Sequence, residues 1–170
     1  MPLGPSVRDA MLEVVPTLRA FAISLSGHVD RADDLVQETL LRAIANIDSF
    51  EPGTNLSAWL FTILRNLFRS QYRKDRREIA DSDGSYAESL VSNPGQHSRL
   101  EFDELRNALA KLSPEKREAL ILVGASGYSY EEAAAICSCA LGTIKSRVNR
   151  ARTELAEMLA IDGPDDFWAR

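Results

Sequence analysis

Cysteine and histidine, on which most metal and redox sites depend, are scarce in this chain, with two of each among 170 residues. Cys137 and Cys139 are separated by a single residue, and a disulfide between such close neighbours would be strained. His28 and His97 are isolated in the sequence, so they do not complete a zinc ligand set. We therefore expect two reduced cysteines, no metal and no cofactor.

The sequence also lacks a long apolar run, a signal peptide and the motifs of common enzymes. No apolar stretch approaches the length of a membrane span, and the N-terminus, MPLGPSVRDA, does not have a signal-peptide pattern. There is no glycine-rich phosphate loop, no cluster of histidines with acids and no GxSxG sequence. These absences predict a cytoplasmic protein that has no membrane segment and is not an enzyme.

An overall positive charge is absent too, because the formal net charge is −5 at pH 7. This value argues against indiscriminate binding to nucleic acid, so any contact with DNA must come from local clusters of bases. One such cluster, residues 65–77, holds six bases against one acid, Asp75, which gives a local charge of +5.

A second basic cluster lies on a predicted helix-turn-helix between Ser129 and Leu159. Ser129 and Glu132 have capping-box spacing, which begins a helix, and Ser138–Cys139 breaks it before a second helix starts near Gly142–Thr143. At about 100° per residue the second helix has one apolar stripe: Ile144, Val148, Ala151, Leu155 and Leu159. Its polar face and flanks suit the DNA major groove. An amphipathic helix with solvated charges is the alternative, but the capped helix and short turn before it favour DNA reading.

A long helix with a second unusual face is predicted from Asn55, its cap, to about Lys74. Its expected apolar stripe comprises Leu56, Trp59, Leu60, Ile63, Leu64 and Leu67. Arg65, Arg69 and Arg73 recur at every fourth position on the far side, near Phe61, Thr62, Tyr72 and Arg76, with Asn66 at the edge. Like charges at this spacing destabilise an isolated helix by roughly 0.2–0.5 kcal/mol per pair, so a polyanion opposite them would explain the pattern. Trp59 has equal claims to be a core residue and a stacking surface for a DNA base.

The remaining segments are helix-prone and contain no strand pattern of useful length. Ser6 to Gly27 predicts a helix with a kink or break at Pro16, and Asp30 is expected to cap the next helix. That helix is expected to bury Leu35, Val36, Leu40, Ile44 and Ile47. Ser113-Pro114 starts another helix as cap and first residue. We predict an all-α protein of two small helical domains, residues 6–77 and 99–160, joined by a flexible acidic linker, 78–98, and followed by a C-terminal tail, 161–170.

Three segments, taken in order, resemble the extracytoplasmic-function group of bacterial sigma factors: DDLVQETLLRA at 33–43, SF and AWLFTILRN within 49–66, and SYEEAAAICSCALGTIKSRVNRAR at 129–152. The resemblance covers about Val14 to Leu159. VPTLRAFAISLSG and REALILVGASGYSYEEAA are most similar to the subgroup that serves the alphaproteobacterial general stress response. The resemblance implies the second and fourth sigma domains, and a factor that directs core RNA polymerase to promoters and helps to open the duplex.

The resemblance also implies three sets of site residues. The β′ clamp helices of the polymerase would meet Asp34, Leu35, Gln37 and Glu38. The minus-ten element, with one flipped base, would meet Phe50 and Asn66, with Trp59 as a candidate stacking surface and Arg65, Arg69 and Arg73 on the neighbouring backbone. The minus-thirty-five element would meet Thr143, Lys145, Ser146, Arg147, Asn149 and Arg150. Asn149 stands where the family can have a bulkier residue, which leaves open the bases that it reads.

The family further implies contact of the fourth domain with the polymerase β flap, and an anti-sigma factor that wedges between the two domains. A rival hypothesis is a sigma-like mimic that sequesters an anti-sigma factor without touching DNA. Such a mimic would have no need for the bases at 65–77 and 145–152. A conventional repressor or activator is a further rival, but it would not explain the segment from Asp34 to Glu38.

Overall fold

The computed structural model describes residues 5–81 and 97–160, and every regular element in these ranges is helical. The chain divides into two compact units, Met1–Leu90 and Val91–Arg170. The predicted all-α fold with two helical domains is therefore confirmed. Within the described residues no helix is both long and apolar enough to cross a membrane. The central part of the predicted linker, 82–96, and the tail, 161–170, lie outside the described residues.

Three long helices form the first unit: α1 (Pro5–Ser26), α2 (Val29–Ala45) and α3 (Leu56–Asp81), with a short 3-10 helix, Ile47–Ser49, after α2. All three helices pack on one another. Their buried side chains include Leu18, Phe21 and Leu25 from α1, Leu35 and Ala43 from α2, and Leu60, Phe61 and Leu64 from α3. At the centre the rings of Phe21 and Phe61 stack, with centroids 4.9 Å apart and planes inclined by 27°.

Several local expectations for the first unit are wrong. Of the kink or break predicted at Pro16, the break is wrong because α1 continues through this residue, and Ser6 lies inside the helix rather than at its cap. Asp30 lies in the first turn of α2, which begins at Val29 after His28. Negative charge in a first helical turn still complements the helix dipole. α3 runs seven residues beyond Lys74, to Asp81, and therefore takes the first four residues of the predicted linker into a helix.

Two burial assignments also change. Phe61 was expected near the arginines on the far side of α3, but it is only 1% exposed because α1 covers that side with Phe21. Ile44 was expected in the core of α2, yet it is 48% exposed. Thr39 and Ala43 occupy buried positions of α2 instead, and the hydroxyl of Thr39 donates to the carbonyl oxygen of Leu35 at 2.7 Å.

The second unit contains α4 (His97–Lys111), α5 (Pro114–Gly124), α6 (Tyr130–Cys137) and α7 (Leu141–Met158). α4 begins two residues before the predicted domain boundary at Arg99. Ser113 caps α5 as predicted, since its hydroxyl accepts from the Lys116 amide at 3.4 Å and Pro114 follows at the first helical position. Ile144, Val148 and Ala151 of α7 are fully buried, and α7 packs on α5 and α6.

Arg117 fastens the end of α4 to α5. Its Nε donates to the carbonyl oxygen of Leu109 at 2.8 Å, and its Nη2 donates to those of Ala110 and Leu112 at 2.8 and 3.0 Å. The last carbonyls of a helix have no partner within the helix, so a guanidinium at this place satisfies them. An ion pair between Lys116 and Glu154 joins α5 to α7. Arg117 thus holds α4 against α5, and the ion pair holds α7 against α5.

Candidate nucleic-acid interface

The predicted capping box fixes the start of α6, and backbone hydrogen bonds fix the turn between α6 and α7. The amide of Ser129 donates to Glu132 Oε2 at 2.8 Å, and the amide of Glu132 donates to Ser129 Oγ at 3.1 Å. α6 ends at Cys137, and the C-cap residue Ser138 has a left-handed conformation with φ of 52°. The Cys139 amide then donates to the carbonyl oxygen of Ala134 at 3.1 Å. This geometry ends α6 within one residue and allows α7 to begin at Leu141.

The outward face of α7 carries most of the residues predicted for the minus-thirty-five element. Lys145, Ser146, Asn149 and Arg150 are exposed, whereas Thr143 and Arg147 are half-buried. Arg147 Nη1 lies 3.9 Å from Cys139 Sγ, so the side chain of Arg147 contacts the turn. Lys145 Nζ lies 6.0 Å from the ring centroid of Tyr130, within the range of a cation–π interaction. Tyr130 was not singled out from the sequence, since nothing local links it to a residue fifteen positions later.

The basic face of α3 is present, although its members differ in exposure. Arg73 and Asn66 are exposed, while Arg65 and Arg69 are half-buried. At 1.5 Å per residue the stripe from Arg65 to Arg73 extends over about 12 Å of helix. Arg76, one turn beyond Tyr72, places its guanidinium carbon 5.8 Å from the centroid of that ring and prolongs the basic face.

An aromatic pair lies at the start of α3. The rings of Phe50 and Trp59 have centroids 5.2 Å apart, and both side chains are half-buried. The Phe50 amide donates to the carbonyl oxygen of Ile47 at 3.0 Å, which fixes the turn, and Asn55 Oδ1 caps α3 by accepting from the Ala58 amide at 3.1 Å. The helical repeat places residues 59, 66 and 73 on the same side of α3, because seven residues make about two turns. Phe50 and Trp59 therefore precede Asn66 and Arg73 along one side.

Asp75, the one acid of the basic cluster at residues 65–77, forms an ion pair. Asp75 Oδ2 lies 3.4 Å from Nη2 of Arg31, which comes from the first turns of α2. A second exposed pair joins α1 to α2, where Arg19 Nε donates to Asp33 Oδ1 at 2.7 Å. That hydrogen bond and the charge of Asp33 raise the pKa of the Arg19 guanidinium above its usual value. Because Asp75 is paired with Arg31, its negative charge offsets the positive charge of the α3 arginines less than its position in the sequence suggests.

The exposed face of α2 differs in part from the predicted polymerase-binding set. Asp34 and Gln37 are exposed, and Glu38 is half-buried and accepts from Arg42 Nε at 2.9 Å. Leu35 is only 2% exposed, so it is a core residue and its side chain cannot form a contact surface. Leu41 and Ile44 continue the face, with Leu41 57% exposed. The spacing of 34, 37, 41 and 44 is helical and could have revealed this apolar end, but Leu41 was not singled out from the sequence and Ile44 was expected in the core because it is apolar.

Among the described residues no group of three or more histidine, cysteine, aspartate or glutamate side chains is placed to hold a metal ion. The candidate binding surfaces of the described residues are therefore the basic faces of α3 and α7 and the mixed polar and apolar face of α2.

Comparison with known families gives two matches, one in each unit. Residues 11–78 match sigma-70 region 2, and residues 102–155 match sigma-70 region 4. The first match ends within α3 and contains the aromatic pair, Asn66 and the arginines. The second contains α6, the turn and α7 as far as Leu155.

Individual proteins are similar over nearly the whole chain. The extracytoplasmic-function (ECF) RNA polymerase sigma factor EcfG of Rhodopseudomonas palustris is 72% identical over 167 residues, which cover 98% of this chain and 92% of that protein. Among solved structures, the sigma factor RpoE in complex with the anti-sigma factor NepR, from Bartonella quintana, is similar with a TM-score of 0.86 and 57% identity, covering 94% of this chain and all of that one. CnrH in complex with the cytosolic domain of CnrY has a TM-score of 0.67 and 28% identity, covering 92% and 91% of the two chains.

Proposed function

This chain belongs to the extracytoplasmic-function group of the sigma-70 family, and we propose on that premise that it directs core RNA polymerase to the promoters of stress-response genes and helps to open them. One observation carries the proposal. Each of the two family regions has a surface whose exposed side chains suit DNA: the arginine face of α3 in the first unit and the outward face of α7 in the second. A protein with one such surface could be an ordinary repressor, but a factor that reads two promoter elements needs both.

In the first unit we assign the minus-ten element to the side of α3 that carries Trp59, Asn66 and Arg73. Phe50 and Trp59 supply aromatic surface, and Asn66 supplies an amide that can hydrogen-bond to a base. A flipped base loses its stacking at a cost of a few kcal/mol, which an aromatic pair and nearby cations can offset. Trp59 touches Phe50, so we assign it to support Phe50 as much as to meet the base. Arg69 and Arg73 would hold neighbouring phosphates.

In the second unit we assign the minus-thirty-five element to the outward face of α7. Lys145, Ser146, Asn149 and Arg150 are exposed, so they can reach base edges in the major groove. Thr143 and Arg147 are half-buried and would serve the DNA backbone near the turn.

The partners in this proposal are core RNA polymerase, promoter DNA and an anti-sigma factor. We assign the polymerase β′ clamp helices to the α2 face of Asp34, Gln37 and Glu38, extended by Leu41 and Ile44, and the β flap to the second unit. NepR binds the similar RpoE of Bartonella quintana, and an anti-sigma factor of that class is the inhibitor we propose here. In this role the protein itself catalyses no chemical reaction, so we propose that it is not an enzyme. It would work in the cytoplasm, where bacterial core polymerase transcribes.

Run-off transcription with purified core polymerase tests the proposal. Genomic promoter fragments are transcribed with and without the protein, and new, discrete transcripts that depend on it are expected. A double variant, Asp34→Ala with Gln37→Ala, serves as a control that should lose core binding while it retains its fold, since both side chains are exposed. Core binding without any transcript would favour the sigma-like mimic, and failure to bind core would refute the assignment of α2.

A further inference from the structure

Arg65 and Asn66 are consecutive residues of α3, and their side chains are joined by a hydrogen bond. Arg65 Nη1 donates to Asn66 Oδ1 at 3.3 Å. Consecutive residues on a helix point about 100° apart, so their side chains do not ordinarily meet. The bond therefore requires Arg65 to turn along the surface of α3 toward Asn66. The half-buried state of Arg65 agrees with this path, whereas Arg73, two turns further on, is exposed.

The chemistry of the two groups determines how the Asn66 carboxamide is oriented. A guanidinium has five N–H donors and no acceptor, whereas a carboxamide has one accepting oxygen and one nitrogen with two N–H donors. Only the orientation with Oδ1 toward Arg65 gives a hydrogen bond, because the reverse would place an amide donor against a cation. The Asn66 Nδ2 group must then point away from Arg65.

We propose that Arg65 is a positioning residue of the minus-ten site, which holds the Asn66 carboxamide so that Asn66 meets the flipped base as a hydrogen-bond donor. This inference rests on the proposed function, since it assigns a role within the same site. An asparagine with both ends free pairs bidentately with adenine, accepting from its amino group and donating to its ring nitrogen. Arg65 engages one of the two lone pairs of Oδ1 and so fixes the rotation of the carboxamide, which turns Nδ2 toward the base. Asn66 then favours a base that presents a hydrogen-bond acceptor, such as a carbonyl oxygen, to that nitrogen.

The inference separates Arg65 from the other arginines of α3, which the proposed function assigns to phosphates. A phosphate contact carries no sequence information, so its loss weakens all promoters alike and reduces the dependence on salt. Loss of a positioning residue changes the preference for one base and leaves the remaining positions as they were. The two roles therefore predict different changes in base preference along the minus-ten element. A loss of folding stability alone would not change the preference at one position.

Four variants of the full-length protein, assayed with core polymerase on promoters carrying each base at every minus-ten position, test the role of Arg65. Arg65→Met removes the donors while keeping a long side chain, and Asn66→Asp keeps oxygens for Arg65 but removes the donor. We expect both to reduce discrimination by about tenfold at one and the same position. Arg65→Lys restores a donor and should recover part of that preference. Arg69→Met is the matched control and should weaken all promoters by a common factor.

The outcomes distinguish this inference from the proposed function. Equal weakening of all promoters by Arg65→Met and Arg69→Met would make Arg65 a phosphate contact and refute the inference, while the proposed function would stand. Changes at different positions for Arg65→Met and Asn66→Asp would also refute it. If the unmodified protein gives no transcript from any promoter, the proposed function fails and this inference fails with it.

Discussion

Ser138 has the backbone conformation that most constrains the choice of residue in the helix-turn-helix. Its φ of 52° lies in the left-handed region, where glycine is usual and a side chain costs about 1–2 kcal/mol. The conformation is required because α6 must end and reverse before α7 begins at Leu141. A serine is tolerated there because the backbone hydrogen bonds to α6 from Ser138 and Cys139 hold it.

Ser138→Gly should raise the free energy of unfolding of the second unit. Removing the side chain relieves the left-handed strain, which stabilises the folded state. The extra freedom of glycine in the unfolded chain destabilises it by about 0.5–1 kcal/mol, so we expect a net stabilisation of roughly 0.5 kcal/mol. Urea denaturation would measure it as a higher midpoint at unchanged slope. Ala135→Gly, at an exposed position inside α6, is the control and should destabilise by about 1 kcal/mol. A loss of stability for Ser138→Gly would contradict the strain argument.

Arg150 is the residue of α7 best placed to test base reading. It is exposed on the outward face, so Arg150→Ala should leave the free energy of unfolding within about 0.5 kcal/mol of the unmodified protein. If Arg150 reads a base, the variant should lose about 1–3 kcal/mol of affinity for promoters with the preferred minus-thirty-five base, and little for others. Binding of a set of base-substituted fragments measures the difference. A loss that is uniform across the set would reduce Arg150 to a phosphate contact.

Helix α3 combines two requirements that conflict within the isolated helix. Its inner side supplies Leu60, Leu64 and Leu67 to the core of the first unit, while its outer side carries arginines at four-residue spacing. Repulsion between them costs the helix a few tenths of a kcal/mol per pair. Burial of one leucine contributes about 1.5–3 kcal/mol, so packing on α1 and α2 easily offsets the repulsion and the basic face persists.

Arg73→Glu should therefore separate the stability of α3 from its binding to DNA. The variant replaces repulsion by favourable pairs with Arg69 and Arg77, so the melting temperature should stay the same or rise slightly. Affinity for promoter DNA should fall, and its dependence on salt should weaken. Circular dichroism and binding at several salt concentrations measure the two effects. Lys74→Glu makes the same charge change about 100° around the helix, where Lys74 now lies near Glu78, and should weaken binding less. Equal losses would contradict a localised DNA face.

At the scale of the whole molecule, each unit has its own hydrophobic core. Leu18, Leu60 and Leu64 belong to the first, and Leu122, Ile144 and Val148 to the second, all of them essentially without exposed surface. Helices α3 and α7, to which we assign the two promoter elements, are thus supported by separate sets of buried side chains.

Leu64→Ala should therefore act on the first unit alone. Truncation of a fully buried leucine costs about 2–5 kcal/mol, because it loses apolar contacts and leaves a cavity. Hydrogen–deuterium exchange should be faster in peptides from α1, α2 and α3 and unchanged in peptides from α5, α6 and α7. Val148→Ala should give the reverse pattern. Comparable acceleration in both units after either substitution would show that the two cores share their stability.

The sequence by itself determined the features that depend on neighbouring residues. The capping box of Ser129 and Glu132, the Asn55 cap and the Ser113–Pro114 start are local interactions, and each is present as predicted. The stripe of Ile144, Val148 and Ala151 followed from helical periodicity, since one face of a short helix must be buried. The all-α fold and the family resemblance followed from the order of these segments.

Only the tertiary structure decided how far around each helix burial extends and which side chains meet. Phe61 is core because Phe21 covers it, and Ile44 is exposed because no described helix covers that side of α2. The pairing of Arg65 with Asn66, of Phe50 with Trp59 and of Lys145 with Tyr130 depends on rotamers and on the path of the chain. Periodicity gives the direction in which a side chain leaves its helix, but the neighbour that it meets there depends on packing and on rotamers.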